Sequence, residues 1–281
     1  MLSAGGPGSG AMWHMRGIGE RRALQSGHFR EAMRLRLGIA TAPHEATCKL
    51  CTRQHADTHA MVCGQALRDD DGLCTHPLVC DAAAARLRPH RAVSTAIGRA
   101  LRAAGAEVDY ERHIPHLYQW DEEKQRYREA ILDVVAVWPG DSVLRCWDVT
   151  IACPHAQRVA KAAEVPGAAV TSAERRKHDR YGADVRPFGL ETYGRMGVKS
   201  MSMLWEAARE ASLYGRATAS AAALQSRWRA DADLALCYSQ ADAMLASKGA
   251  LQHVAGAAYF PVGRMVKRTT AAGGEHRQGP C

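Results

Sequence analysis

Residues 130–151 read AILDVVAVWPGDSVLRCWDVTI, two apolar runs on either side of Pro139-Gly140-Asp141-Ser142. Valine, isoleucine and tryptophan favour strands, and a Pro-Gly-Asp-Ser cluster between such runs marks a turn, so the segment predicts an antiparallel hairpin inside a sheet. Each run nevertheless carries one aspartate where a buried strand would take another valine. If the turn is symmetric about the Gly140–Asp141 bond, Asp133 and Asp148 oppose each other directly, with Cβ atoms about 5 Å apart. Two carboxylates so placed repel, and on an apolar sheet each also costs desolvation energy. A Mg²⁺ or Mn²⁺ ion between them turns repulsion into attraction, because these ions bind hard oxygen donors. The plainer alternatives are a strand end in solvent or pairing with Arg145 or Arg128. A register one residue out would put the two on opposite faces and remove the argument.

A second constraint lies upstream. Of nine cysteines, five (Cys48, Cys51, Cys63, Cys74 and Cys80) crowd into one short region together with several histidines. In a reducing compartment such crowding points to zinc rather than to disulfides. Cys48-x2-Cys51 followed by His59-x3-Cys63 gives four ligands, one pair gripping an ion from a turn and the other from one helical turn, and this is the expected structural zinc site. Cys74, His76, Cys80 and His90 can complete a second site or exchange ligands with the first.

The rest of the chain reads as helices around the hairpin, on an expected plan of five segments. Residues 1–27 are a Gly-rich loose start, 28–90 an amphipathic helix and the Cys/His segment, 91–197 the core holding the hairpin, 198–250 a helical extension, and 251–281 a loose tail. In 28–37, Phe29, Met33 and Leu37 repeat every four residues and predict the buried stripe of a short helix. Val93, Ile97 and Leu101 form a second stripe that ends before Gly105, with Arg91, Arg99 and Arg102 on the polar sides. Residues 106–120 look extended, and 121–129 read as a polar connection. Thr171 and Glu174 are spaced as a capping box for a helix ending near Gly182, on which Glu174, Lys177 and Tyr181 share one face. The stretch VRPFGLETYGRMG reads as turns, and helices are expected over 198–213 and 217–248. The fold class is α+β: a small mixed sheet with a central acidic hairpin, flanked by helices, preceded by a zinc knuckle and followed by a helical extension.

Composition bounds the partners. With 37 Lys+Arg against 29 Asp+Glu the formal charge is +8, which suits an anionic partner such as nucleic acid. Arginine dominates the basic set, and Arg91, Arg99, Arg102, Arg175, Arg176 and Arg180 are candidate phosphate contacts. No run approaches the roughly 20 apolar residues of a membrane span, and the start lacks the apolar core of a signal peptide, so the protein is expected inside the cell with no membrane partner. Glu111 at the end of the extended segment is the candidate third carboxylate. Lys177 can hold an attacking water or a scissile phosphate.

The order of Glu111, Asp133, Asp148, then Lys177 and Tyr181 on a following helix resembles the PD-(D/E)XK nuclease superfamily. More narrowly, it is similar to the restriction-like endonuclease at the C-terminal end of certain non-LTR retrotransposon polyproteins. There a Cys-Cys-His-Cys knuckle leads into a His-Arg helix start and then the nuclease, matched here by Cys48, Cys51, His59 and Cys63 and by RPHR at Arg88 to Arg91. The superfamily's acid-x-Lys is Asp148-Val149-Thr150 in this chain, so the lysine is to come from the helix, as in the retrotransposon branch. The resemblance implies an α/β-like nuclease core and a Mg²⁺- or Mn²⁺-dependent nick in DNA that primes reverse transcription in the nucleus. It also implies DNA and element RNA as partners, and an upstream reverse transcriptase in a parent polyprotein, of which this chain would be a detached piece. Two competing expectations are a non-catalytic zinc-stabilised nucleic-acid-binding module, or remnant of a degenerate element, and a zinc-stabilised interaction protein without a nucleic-acid role.

Overall fold

The computed structural model describes residues 26–39, 42–49, 51–52, 61–68, 75–80, 83–155, 162, 164–214 and 217–248, with the backbone alone at 51–52, 61–62 and 83–87. Apart from Ser26 and Gly27, the segments expected to be loose at the two ends lie outside the described residues. The fold is α+β. In chain order the elements are α1 (Ser26–Leu37), β1 (Cys51–Thr52), β2 (Met61–Val62), α2 (His76–Val79), α3 (Ala83–Ala103) and β3 (Glu107–His113). Then follow β4 (Gln119–Asp121), β5 (Arg126–Arg128), β6 (Ile131–Val137), β7 (Arg145–Ala152), α4 (Ala168–Tyr181), β8 (Val185–Glu191), α5 (Val198–Leu213) and α6 (Ala221–Ser247).

The centre is a four-stranded mixed sheet in the order β3-β6-β7-β8. β3, β6 and β7 run antiparallel, and β8 lies parallel to β7 after the crossover through α4. The pairs Val134↔Trp147, Val135↔Cys146 and Ala136↔Arg145 give the register required by a turn symmetric about the Gly140–Asp141 bond. Residues 138–144 close it as a loop rather than a tight turn. Asp141 N–H donates to Trp138 O at 2.9 Å, the Asp141 carboxylate accepts from Val143 N–H at 2.9 Å, and Gly140 takes φ +85°.

Alternation sorts the hairpin between two apolar layers. Val134, Ala136, Trp147 and Val149 pack with Val93, Ile97 and Leu101 of α3, Leu204 and Ala208 of α5, and Trp228 and Leu236 of α6. Val135 and Cys146 join Tyr181, Val185 and Ile114 on the opposite side, and by the same alternation Asp133 and Asp148 belong to that side. The stripe predicted for α3 is the buried one, and Gly105 at φ +87° follows its end. Gly98 sits mid-helix because the Tyr110 ring lies on it: a Cβ there would stand 2.1 Å from the Tyr110 hydroxyl. The last two helices are built into the core of the sheet, since α5 and α6 supply much of its larger apolar layer.

Four local expectations change. VRPFGLE is a strand, β8, and not a run of turns. It lies at the sheet edge, where Pro187 deprives no neighbour of a donor, and Gly189 is there because a Cβ would come within 2.5 Å of Val170 Cγ2. The polar connection holds a small hairpin of its own, β4–β5. Helix α4 begins a turn early: Gly167 at φ +81° opens it at Ala168, which leaves Thr171 inside the helix and Glu174 buried instead of capping. Helix α1 buries the face opposite to the one predicted, with Phe29 and Leu37 exposed and His28, Glu31, Ala32, Leu35 and Arg36 covered. The cause is α6, whose polar groups choose that face: Asp233 takes Arg36 at 2.5 Å, Asp242 takes His28 at 3.0 Å, and Lys248 takes Glu31 at 2.5 Å.

Candidate metal centres

The first centre is made by a ladder that starts before β1 and ends after β2. Cys51↔Val62 and Thr52↔Met61 pair in these two strands, and the same register runs on through the Cys48 N–H bond to Gln65 O at 2.7 Å to the bridge Thr47↔Ala66. Cys48 faces Gln65, and Cys63 stands diagonal to Cys48, two residues before Gln65 on the facing strand. Helix α2 is a single turn, and it places His76 and Cys80, four apart, on one side. The four ligand atoms of Cys48, Cys63, His76 and Cys80 all lie within 4.8 Å of one another. Sγ of Cys80 stands 3.9 Å from Sγ of Cys48 and 3.8 Å from that of Cys63, while Cys63 Sγ stands 3.3 Å from His76 Nε2. Four bonds of about 2.3 Å pointing to the corners of a tetrahedron leave their ends about 3.8 Å apart. Three thiols and one imidazole at these separations can hold a metal ion such as zinc.

This set differs from the one expected. Cys48 and Cys63 belong to it, and His76 and Cys80 of the second expected set join them, an exchange of ligands between the two sets. His59 lies outside the described residues, as does Cys74, and Cys51 is described in its backbone alone. No second thiolate site is formed among the described residues, because two of its expected ligands are used here and His90 turns elsewhere. The centre is tied to the helices by a small apolar cluster of Leu35, Leu67, Tyr193 and Met244, and by Lys49 N–H donating to Ser247 O at 2.8 Å.

The second centre is the acidic hairpin. One step beyond Val134↔Trp147, the register sets Asp133 opposite Asp148, and the two carboxylates offer ligand atoms within 4.8 Å of each other. Asp148 is only 3% exposed. The backbone N–H of Val149 donates to Asp133 Oδ2 at 2.6 Å, which fixes that carboxylate. From α4, the Lys177 ammonium reaches Asp148 Oδ2 at 2.7 Å. From α3, His90 Nε2 lies 3.1 Å from Asp133 Oδ2 and 2.9 Å from Val149 O. The His90, Asp133 and Asp148 ligand atoms form the second group able to hold a metal ion.

Their proton affinities follow from this packing. Burial and the hydrogen bond to Asp133 push the Asp148 carboxyl up to about 7, against the pull of Lys177. Burial would also raise Asp133, yet its hydrogen bonds to His90 and Asp148 outweigh it and hold that carboxyl below the ordinary range. Burial works to lower His90, but its bond to Asp133 prevails and raises the imidazole above its ordinary value. Tyr181, expected on the same helix face as Lys177, is buried beside the pair. Burial, then the nearby Asp148, raises its phenol.

Glu111 does not join the carboxylates. It adopts φ +49°, which interrupts the β3–β6 ladder between Tyr110↔Val134 and Arg112↔Leu132, and its carboxylate accepts from Arg91 at 3.2 Å. Backbone strain of this kind leaves no mark in a sequence. Arg102 is likewise committed to β3, donating to Val108 O at 2.9 Å, and Arg180 donates to Glu129 O at 3.0 Å. Arg99, Arg175 and Arg176 are exposed, the last two beside Lys177 on α4. The residue missed as a partner of the acids is His90, and its only signal was the RPHR motif, which lies inside α3 and not at its start.

No protein-family model and no curated protein sequence matches the chain. Among the described residues, no helix is long and apolar enough to cross a membrane.

Proposed function

We propose that the chain is a metal-dependent DNA endonuclease of the PD-(D/E)XK type, of the kind that nicks target DNA for retrotransposon insertion. The observation that carries this reading is the convergence of Asp133, Asp148 and Lys177 from three different elements, with the carboxylates' ligand atoms within 4.8 Å of each other and Lys177 at 2.7 Å from Asp148. Two carboxylates forced together at such cost are explained if a cation offsets their repulsion. A Mg²⁺ or Mn²⁺ ion held by Asp133 and Asp148 would supply an activated water and stabilise charge on the phosphate. The Val149 N–H keeps Asp133 aimed, and the Lys177 ammonium can orient the water or hold a phosphate oxygen. Exposed Arg175 and Arg176 on the same helix, with Arg99 on α3, suit the DNA backbone, a contact that gives affinity without sequence choice.

The thiolate centre is read as a structural zinc site, closed by four protein ligands and so without a position for catalysis. In this reading it holds the 42–80 segment against α1 and α6, with element RNA and a reverse transcriptase as further partners.

Supercoiled plasmid incubated with the purified chain and Mn²⁺ or Mg²⁺ tests the proposal. Nicking is expected, and Asp133→Ala or Asp148→Ala should each slow it by at least about 100-fold. Absence of nicking, or nicking that survives both substitutions, sinks the enzyme reading. Salt-sensitive DNA binding without nicking would favour a non-catalytic nucleic-acid-binding module instead.

A further inference from the structure

We propose that His90 is a third protein ligand of the carboxylate centre and makes it select Mn²⁺ over Mg²⁺. The use made of the ion rests on the endonuclease reading, but the ligand assignment stands on geometry. His90 Nε2 is 2.9 Å from Val149 O and 3.1 Å from Asp133 Oδ2. An octahedral ion with bonds of about 2.1 Å holds adjacent ligand atoms about 3 Å apart. Both separations match that edge. The His90, Asp133 and Asp148 ligand atoms also fall within 4.8 Å of one another, as ligands of one ion must.

A neutral imidazole nitrogen has either a hydrogen to give or a lone pair, never both. If Nε2 carries the hydrogen, in the neutral ring or in the imidazolium, His90 is a lock that shares one N–H between a carbonyl and a carboxylate. The second carboxylate, nearly fully buried, is then held against the first with Lys177 as its cationic partner. If Nε2 carries the lone pair, the imidazole and both carboxylates offer ligand atoms within 4.8 Å of one another, the arrangement that one cation would join.

The surroundings agree. Packing does not demand a histidine here, since α3 is held by Val93, Ile97 and Leu101, and the His90 side chain is 30% exposed, which leaves an approach for an ion. The Ser94 hydroxyl donates to His90 O at 2.9 Å and steadies this turn of α3. Arg91, the next residue, is drawn away by Glu111, so its positive charge does not fill the place. Lys177 lies against Asp148 alone.

The donor set decides the ion. Mg²⁺ keeps to oxygen and to its own waters, whereas Mn²⁺ accepts an imidazole nitrogen alongside carboxylates and stands higher in the general order of affinities than Mg²⁺ for such mixed sites. Replacing the imidazole by water should therefore cost Mn²⁺ far more than Mg²⁺.

Pulsed electron paramagnetic resonance of Mn²⁺ bound to the full chain, with the thiolate centre first filled with Zn²⁺, tests this directly. The spectrum should show coupling to one histidine nitrogen, altered when histidine is ¹⁵N-labelled and lost in His90→Ala. Mn²⁺ affinity should fall at least about tenfold in His90→Ala, with Mg²⁺ affinity falling much less. Should His90→Ala fail to fold by circular dichroism, His90→Asn and the labelled unmodified chain still give the answer. Absence of histidine coupling in the unmodified chain overturns the proposal, as does coupling of equal strength in the variant. Coupling without nicking supports the ligand assignment and sinks the endonuclease reading, whereas nicking without coupling does the reverse.

Discussion

The two centres are built in opposite ways. The thiolate centre draws its ligands from a short ladder and a one-turn helix, elements too small to hold themselves, with only a small apolar cluster behind them. The carboxylate centre draws its side chains from two strands and two helices, backed on one side of the sheet by the largest apolar cluster among the described residues. In the first the ion would organise the chain. In the second the chain is already organised, and the ion would relieve what the chain imposes. Position in the fold thus separates a site that contributes stability from one that draws on it.

The largest effect expected from this contrast is the removal of zinc. Apparent binding energies of structural zinc run to about 10–16 kcal/mol in small domains, so stripping the ion should unfold the 42–80 segment. Elemental analysis should find zinc, and Cys48→Ser or Cys80→Ser should abolish it and open this segment to protease. The hairpin should stay protected. Simultaneous loss of both regions would mean that the contrast is false and the protein unfolds as one unit.

Next comes the core behind the carboxylates. Trp147 is 2% exposed and meets Trp138 edge-on at 6.4 Å between ring centres. Trp147→Ala should cost about 3–5 kcal/mol, read by denaturant unfolding, and should disturb the thiolate centre little.

The smallest effect is a pH dependence. In the folded, Mg²⁺- and Mn²⁺-free protein, Asp148 titrates near 7, above its unfolded value, so the stability it contributes when protonated is lost as pH rises through about 7. His90, also raised, works in the same direction above its unfolded value, and Asp133, lowered, is ionised throughout this range. Zinc-loaded protein should therefore melt at a lower temperature at pH 8 than at pH 6, and added Mn²⁺ should narrow the gap. A melting temperature that rises with pH over this interval would contradict the packing described for the pair.

These differences also explain what could be read beforehand. The opposition of Asp133 and Asp148 was legible because a hairpin's register follows from its turn, and a loop longer than expected did not shift it. Lys177 was legible because a helix following the acidic strands has to pack on them. Glu111 was not, since its φ interrupts the ladder at the one residue that would have brought it alongside. His90 was not, because its place depends on where α3 meets Val149 in the middle of β7, a tertiary contact with no local signature. The thiolate ligands were half legible: Cys48 and Cys63 were expected together, and the single turn of α2 adds His76 and Cys80 from the second His-x3-Cys pair. In α1, a stripe of period four pointed to the wrong face because polar partners on α6 outweighed three apolar side chains.

The loop at 138–144 carries one more consequence. It closes the hairpin at the end away from the carboxylates, about 17 Å along the strand from Asp133, and its Pro139, Gly140 and Val143 are exposed. Natural selection can lengthen or decorate this tip without disturbing the chemistry, so it is the point where related chains are free to diverge and where a fluorophore or affinity tag can be grafted.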